Sequence, residues 1–167
     1  GFHVSIVGSI DEAVDRAVEL GCNTFQVFTR NPRSWKAENL KPEEAEAFIE
    51  KVEKFDMQPV FAHMPYLANL ASARQNIYSM SVETLKTELE RCRVLRIPYL
   101  VTHLGSHLGA GKNKGFERII RAIDEAYRSA GEGVMLLLEN TAGTRNSMGG
   151  SFEDIRYIIC LLYTSDA

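Results

Sequence analysis

Three apolar runs in the chain lead into a side chain able to bind a metal ion: QPVFAH closes on His63, PYLVTH on His103, and VMLLLEN carries Glu139. The three positions are 40 and 36 residues apart. Two neutral imidazoles and an ionised carboxylate form a donor set that suits zinc. A histidine at the end of an apolar strand is more often a hydrogen-bonded core residue, and a carboxylate there more often a salt-bridge partner. The metal reading gains from the repetition, because three consecutive runs end in competent groups at matching depth. A carboxylate buried behind three leucines would also be costly without a cation beside it.

Those side chains meet only if the runs are neighbouring strands. Strands apolar along their length belong to parallel sheets covered on both faces. Parallel neighbours require crossovers of about a dozen residues or more, usually helical, and each separation has room for a strand, a helix and two loops. Sites in such α/β folds form at the carboxyl ends of the strands. The rest of the chain follows the same alternation. Strands are predicted at 3–7, 23–28, 58–63, 99–104 and 134–140. Helices are predicted from Ser9 to about Leu20, from about Lys41 to Phe55, from about Arg74 to Leu95, over about 116–130, and from near Phe152. Ser9 and Glu12 have the spacing of a capping box, and Gly21 suits the position just past a helix end. Five β-then-α units with short links predict a parallel α/β architecture with right-handed crossovers. A (β/α)₈ TIM barrel takes about 250 residues, so five of eight units would make an incomplete barrel lacking roughly its last third.

With 167 residues, 45% of them hydrophobic and 25% charged, the chain can bury one core. Its formal net charge of −3 supplies no global positive field, so any polyanion must be held by local patches. Cys22, Cys92 and Cys160 are scattered and odd in number, which fits a reducing compartment. No run approaches the roughly 20 apolar residues of a membrane span. No secretory leader is visible, and the expected location is cytoplasmic.

Two loops on the predicted carboxyl rim carry further chemistry. One holds Arg33, Trp35 and Lys36; the other places Tyr66 and Leu67 just after His63. An aromatic or apolar side chain beside a cation can wedge into stacked bases while the cation holds phosphate. The alternative is that Trp35, Tyr66 and Leu67 pack their loops onto the domain. The loop GSHLGAGKNKG (105–115) fails the Walker pattern, with Ser106 in place of Gly and Asn113 in place of Ser or Thr. Lys112 and Lys114 are read as solvated. Structural roles suit His3 and His107 better than metal binding.

The ordered motifs GFHVS, FTRNPRSW, HMPYLANLAS, THLGSHLG and LENTAG resemble endonuclease IV, a family of zinc-dependent apurinic/apyrimidinic endonucleases on a (β/α)₈ barrel. The resemblance covers residues 1–159, taken as one partial barrel domain. It implies that His63 and His103 bind one zinc and that Glu139 bridges it to a second, in a three-zinc site whose other ligands lie on later strands. It also implies that Arg33, Tyr66 and Leu67 enter double-stranded DNA at an abasic site. The complete enzyme would cut the phosphodiester 5′ to that site as a DNA-repair hydrolase and act as a monomer. Without the later ligands, the chain by itself is expected to be inactive. The tail CLLYTSDA (160–167) departs from the family pattern and resembles translated sequencing adapter. Two other functions fit less well: a metal-dependent sugar isomerase or epimerase on a related barrel, and a non-catalytic DNA-binding fragment. The rim loops favour DNA over a small polyol.

Overall fold

The computed structural model describes residues 1–164. Its elements alternate throughout: β1 (Phe2–His3), α1 (Glu12–Glu19), β2 (Phe25–Val27), α2 (Pro42–Lys54), β3 (Val60–His63), α3 (Gln75–Val94), β4 (Tyr99–His103), α4 (Lys112–Ala130), β5 (Met135–Glu139) and α5 (Phe152–Thr164). The strands form one sheet in sequential order. β1–β2, β2–β3 and β3–β4 pair in parallel, with Phe2 opposite Phe25, Phe25 opposite Val60, and His63 opposite Val101. This is the predicted alternation of strand and helix.

Contacts concentrate in two compact units, through both of which β4 and β5 run. The first comprises Gly1–Tyr66, Glu88–Val101 and Gly133–Leu136; the second comprises Leu67–Thr87, Thr102–Glu132 and Leu137 onward. In the first, Ala13, Val14 and Ala17 of α1 and Phe48 of α2 are buried, as are Phe25, Val27, Val60 and Ala62 of the strands. Phe25 meets the Phe48 ring edge-on, with centroids 6.3 Å apart. Full burial of a side chain of this size contributes about 1.5–3 kcal/mol. In the second, Leu70, Val82, Leu85, Leu104, Ile119, Ile123, Met148 and Ile158 are buried.

Three helix ends in the first unit share one closure. Gly21, Asp56 and Arg96 have positive φ, and the following N–H groups of Cys22, Met57 and Ile97 donate to the carbonyls of Ala17, Val52 and Cys92. A left-handed residue with this backbone bond satisfies carbonyls that the helix leaves open. Met57 and Ile97 then bury themselves, and the next strand begins within three residues of each. Glycine signals only the first of these turns in the sequence.

Several element boundaries depart from prediction. β1 is short because the chain leaves the sheet after the Val4 N–H bonds Gln26 O. The Ser5 and Val7 carbonyls accept instead from Arg16, at 2.8 and 2.6 Å. Ser9 does not cap α1; Asp11 occupies the N-cap position without a side-chain cap bond, and the Ser9 hydroxyl donates to Asp11. α4 starts at Lys112, four residues before the prediction. β5 is not covered on both faces: Met135 is 60% exposed and Leu136–Glu139 are half-buried. It comes last in the strand order, so no further described strand lies beyond it. Of the tail segment 160–167, residues up to Thr164 continue α5 and 165–167 lie outside the described residues. No helix among the described residues is long and apolar enough to cross a membrane.

A buried ionic network, invisible as a motif, joins the segment just after β2 to α3. Glu88 and Arg30 pair at 2.7 Å with side chains 0% and 4% exposed. The Thr29 hydroxyl donates to the other Glu88 oxygen at 2.7 Å, and Arg91 Nε donates to Thr29 Oγ1 at 2.9 Å. Burial pushes the Glu88 carboxyl upward, against the pull of Thr29 and of the Arg30 and Arg91 guanidinium groups. Removing one partner of a buried pair strands the other charge. Glu88→Ala is therefore expected to cost about 3–5 kcal/mol in urea unfolding; a loss below about 1 kcal/mol, the range of exposed pairs, would contradict this account.

Candidate metal centre

His63 ends β3 and is 6% exposed. Its Nδ1 lies 2.7 Å from the Met64 carbonyl, so Nδ1–H donates there and the ring keeps its lone pair on Nε2. Such a backbone bond fixes tautomer and ring orientation in histidines that bind metals. Phe28 supports this ring edge-on at 5.6 Å and also meets His3 at 4.4 Å and Tyr66 at 5.0 Å. His3 bonds Gln26 Nε2 at 2.9 Å. Partial burial, and secondarily the charge of His63, hold its pKa below the usual value.

His103 ends β4 and Glu139 ends β5. His103 Nδ1 and a Glu139 carboxylate oxygen are 3.3 Å apart, with both side chains around two-fifths exposed. Glu139 is therefore not buried behind its leucines, and the desolvation argument for a cation does not apply to it. What remains is proximity: His63, His103 and Glu139 each offer one ligand atom within 4.8 Å of the other two. Two imidazoles and a carboxylate at this spacing are chemically suited to a borderline-soft divalent ion such as zinc.

The Arg33 loop is fixed from beneath. Arg30 Nη1 donates to Trp35 O at 3.0 Å, and Arg91 Nη1 donates to Glu38 O at 2.9 Å. The Arg33 N–H donates to the Asn31 side chain at 3.0 Å, leaving Arg33 itself exposed. The Tyr66 N–H donates to Pro32 O at 3.1 Å, tying the start of the second rim loop to the first. Tyr66 and Leu67 are 59% and 37% exposed. Tyr66 packs on Phe28 through one ring edge and keeps more than half its surface in solvent.

Residues 14–162 match the family described as the xylose isomerase-like TIM barrel. The chain belongs to this family. It is 54% identical over 160 residues to a probable endonuclease 4 of Methanoculleus marisnigri, covering 95% of the chain and 57% of that relative. A probable endonuclease 4 of Cenarchaeum symbiosum is 50% identical, with 97% and 58% covered. The crystal structure of Thermus thermophilus endonuclease IV superposes with a TM-score of 0.86 at 37% identity, over 95% of the chain and 58% of that structure. The chain thus spans a little over half the length of these relatives, and the resemblance to endonuclease IV drawn from its motifs is shown by them. A D-tagatose 3-epimerase-like protein, 20% identical with a TM-score of 0.72 over 95% of the chain and 59% of that structure, shares the fold alone.

The loops after these strands also depend on residues to which the sequence reading gave no part in the site. Asn69 is the first. Its Oδ1 accepts from the N–H groups of Ala71 and Ser106 at 3.1 and 2.9 Å, and its Nδ2 donates to Ser106 O at 3.0 Å. His107 holds its own loop: Nδ1 accepts from the N–H groups of Gly109 and Gly111, both at 3.2 Å. Lys112 is not simply solvated, because it pairs with the buried Asp154 at 2.6 Å. Gly105 sits at φ +85°, where an added Cβ would lie 2.1 Å from Asn69 Oδ1. Gly105→Ala combines left-handed strain with that clash, and a loss of about 2 kcal/mol or more is expected in thermal unfolding; a stability equal to that of the parent chain would refute the contact.

Proposed function

We propose that this chain carries the first zinc-binding and DNA-entering part of an abasic-site endonuclease that hydrolyses the phosphodiester 5′ to the lesion. The observation that carries the reading is the convergence of His63, His103 and Glu139 in a chain 54% identical to a probable endonuclease 4. His63 would bind through Nε2, its Nδ1 proton being engaged by Met64 O. His103 and Glu139 would complete the ligand set, with Glu139 bridging to a second zinc as the endonuclease IV resemblance implies. Zinc bound there would generate hydroxide at neutral pH and neutralise charge developing on the phosphate.

The protein's own side chains hold the duplex. Arg33 presents an exposed guanidinium to a phosphate, on a backbone pinned by Arg30 and Arg91. Tyr66 and Leu67 present partly apolar surface able to enter the stack, where an abasic site has already lost one base's stacking. Selectivity then comes from the lower cost of deforming damaged DNA. The epimerase reading rests on a relative that is 20% identical, well below the endonuclease relatives.

Metal binding by the purified chain gives the first test. Zinc at about 100 times its dissociation constant should add about 2.7 kcal/mol to unfolding stability. His103→Ala or Glu139→Ala should weaken zinc binding by more than about a hundredfold, beyond what loss of an outer-shell partner costs. DNA binding gives the second. Leu67→Ala should reduce the preference for an abasic over an intact duplex, whereas Arg33→Ala should weaken both duplexes and lower the salt dependence by about one phosphate contact. Absence of zinc binding, or of abasic preference, would sink the reading.

A further inference from the structure

Given that proposed function, we infer that Asn69 is a positioning residue for abasic recognition, holding the loop of the Leu67 wedge against the loop that follows His103. The segment 69–72 is a tight turn folded around one carboxamide. Besides the Ala71 and Ser106 bonds already described, the Asn69 N–H donates to Ser81 Oγ at 2.8 Å. The Ser72 N–H donates to Asn69 O at 3.2 Å, and Arg118 Nη1 donates to Ser72 O. Leu70, Ala71 and Ser72 of this turn are buried, while Leu67 stands 37% exposed two residues before Asn69.

A side chain that pushes into stacked bases works only if its own loop yields less readily than the duplex. Asn69 supplies that resistance through two chemistries at once: Oδ1 accepts from two N–H groups and Nδ2 donates to a carbonyl. Aspartate at this position would face the Ser106 carbonyl with no proton to offer. Glutamine is one methylene longer, and an added Cβ on Gly105 would already come within 3.0 Å of the Asn69 Cα. The close approach of Gly105 and the paired amide bonds therefore select asparagine on both size and hydrogen-bonding grounds.

The experiment compares binding of the whole chain to a fluorescent duplex carrying one tetrahydrofuran abasic analogue and to the same duplex with the base restored. The ratio of the two affinities does not depend on what fraction of the protein is folded, so general destabilisation leaves it unchanged. Asn69→Ala and Asn69→Asp are expected to lower the abasic preference roughly tenfold, the equivalent of one or two ordinary hydrogen bonds. Lys86→Met serves as the control, removing bonds from Lys86 to Glu83 and Glu125 that lie outside the turn; its preference should stay at the parent value. Cobalt absorption spectra of the Asn69 variants should match the parent, showing the metal ligands in place. Unchanged preference in both Asn69 variants overturns the inference alone. A parent chain with no abasic preference overturns the proposed function and the inference together.

Discussion

Glu88 lies fully buried on α3, and a carboxylate in that position must be answered by fixed donors or it cannot stay ionised. Thr29 and Arg30 answer it from the segment just after β2, and Arg91 answers Thr29 from one turn further along α3. Each guanidinium then has donors left over, and these reach Trp35 O and Glu38 O. A buried charge thus sets the backbone of a polar loop that has no regular structure of its own. Desolvation opposes the arrangement and complete hydrogen bonding offsets it; no buried side-chain nitrogen or oxygen among the described residues lacks a partner. Network geometry, rather than net contact energy, is what such buried pairs supply most dependably.

The other loops at the carboxyl ends of the strands are built by the same device on a smaller scale. Arg16 gathers the carbonyls of Ser5 and Val7, Asn69 gathers groups of Ala71 and Ser106, and His107 gathers the N–H groups of Gly109 and Gly111. In each case one side chain with several polar atoms replaces the ladder or helix bonds that irregular backbone lacks. The exposed residues of the proposed DNA contact, Arg33, Tyr66 and Leu67, sit between these fixed points. Their neighbours are constrained while their own tips remain in solvent.

The alternation of strands and helices was legible because hydrophobic runs and turn residues repeat with little noise, and His63, His103 and Glu139 could be picked out because each closes such a run. Other features were hidden for physical reasons. Asp56 and Arg96 turn helices into strands in a conformation usually marked by glycine, so their residue types gave no sign. Arg30 and Glu88 are ordinary charged residues 58 positions apart, and only the fold brings them together. Ser9 and Glu12 had the spacing of a cap, but Asp11 took the hydroxyl and moved the helix start. Glu139 was read as buried from the leucines before it, yet the half-exposed faces of β5 leave it accessible. The structural role expected of His107 is met by its two backbone bonds; Asn69 and Gly105 lie within quoted motifs, but nothing local marks their close approach across 36 positions.

The three identical helix-to-strand closures at Gly21, Asp56 and Arg96 divide the labour of the fold between its two kinds of connection. Each closure spends only a few residues and fixes strand entry by backbone bonding, leaving no slack for an inserted residue. The strand-to-helix connections are longer and are shaped by individual side chains, so one substitution can remodel a loop without shifting the strand beneath it. Substitutions and insertions are therefore expected to be better tolerated in the strand-to-helix connections. A scaffold of this kind can change its loops while preserving the register of its strands.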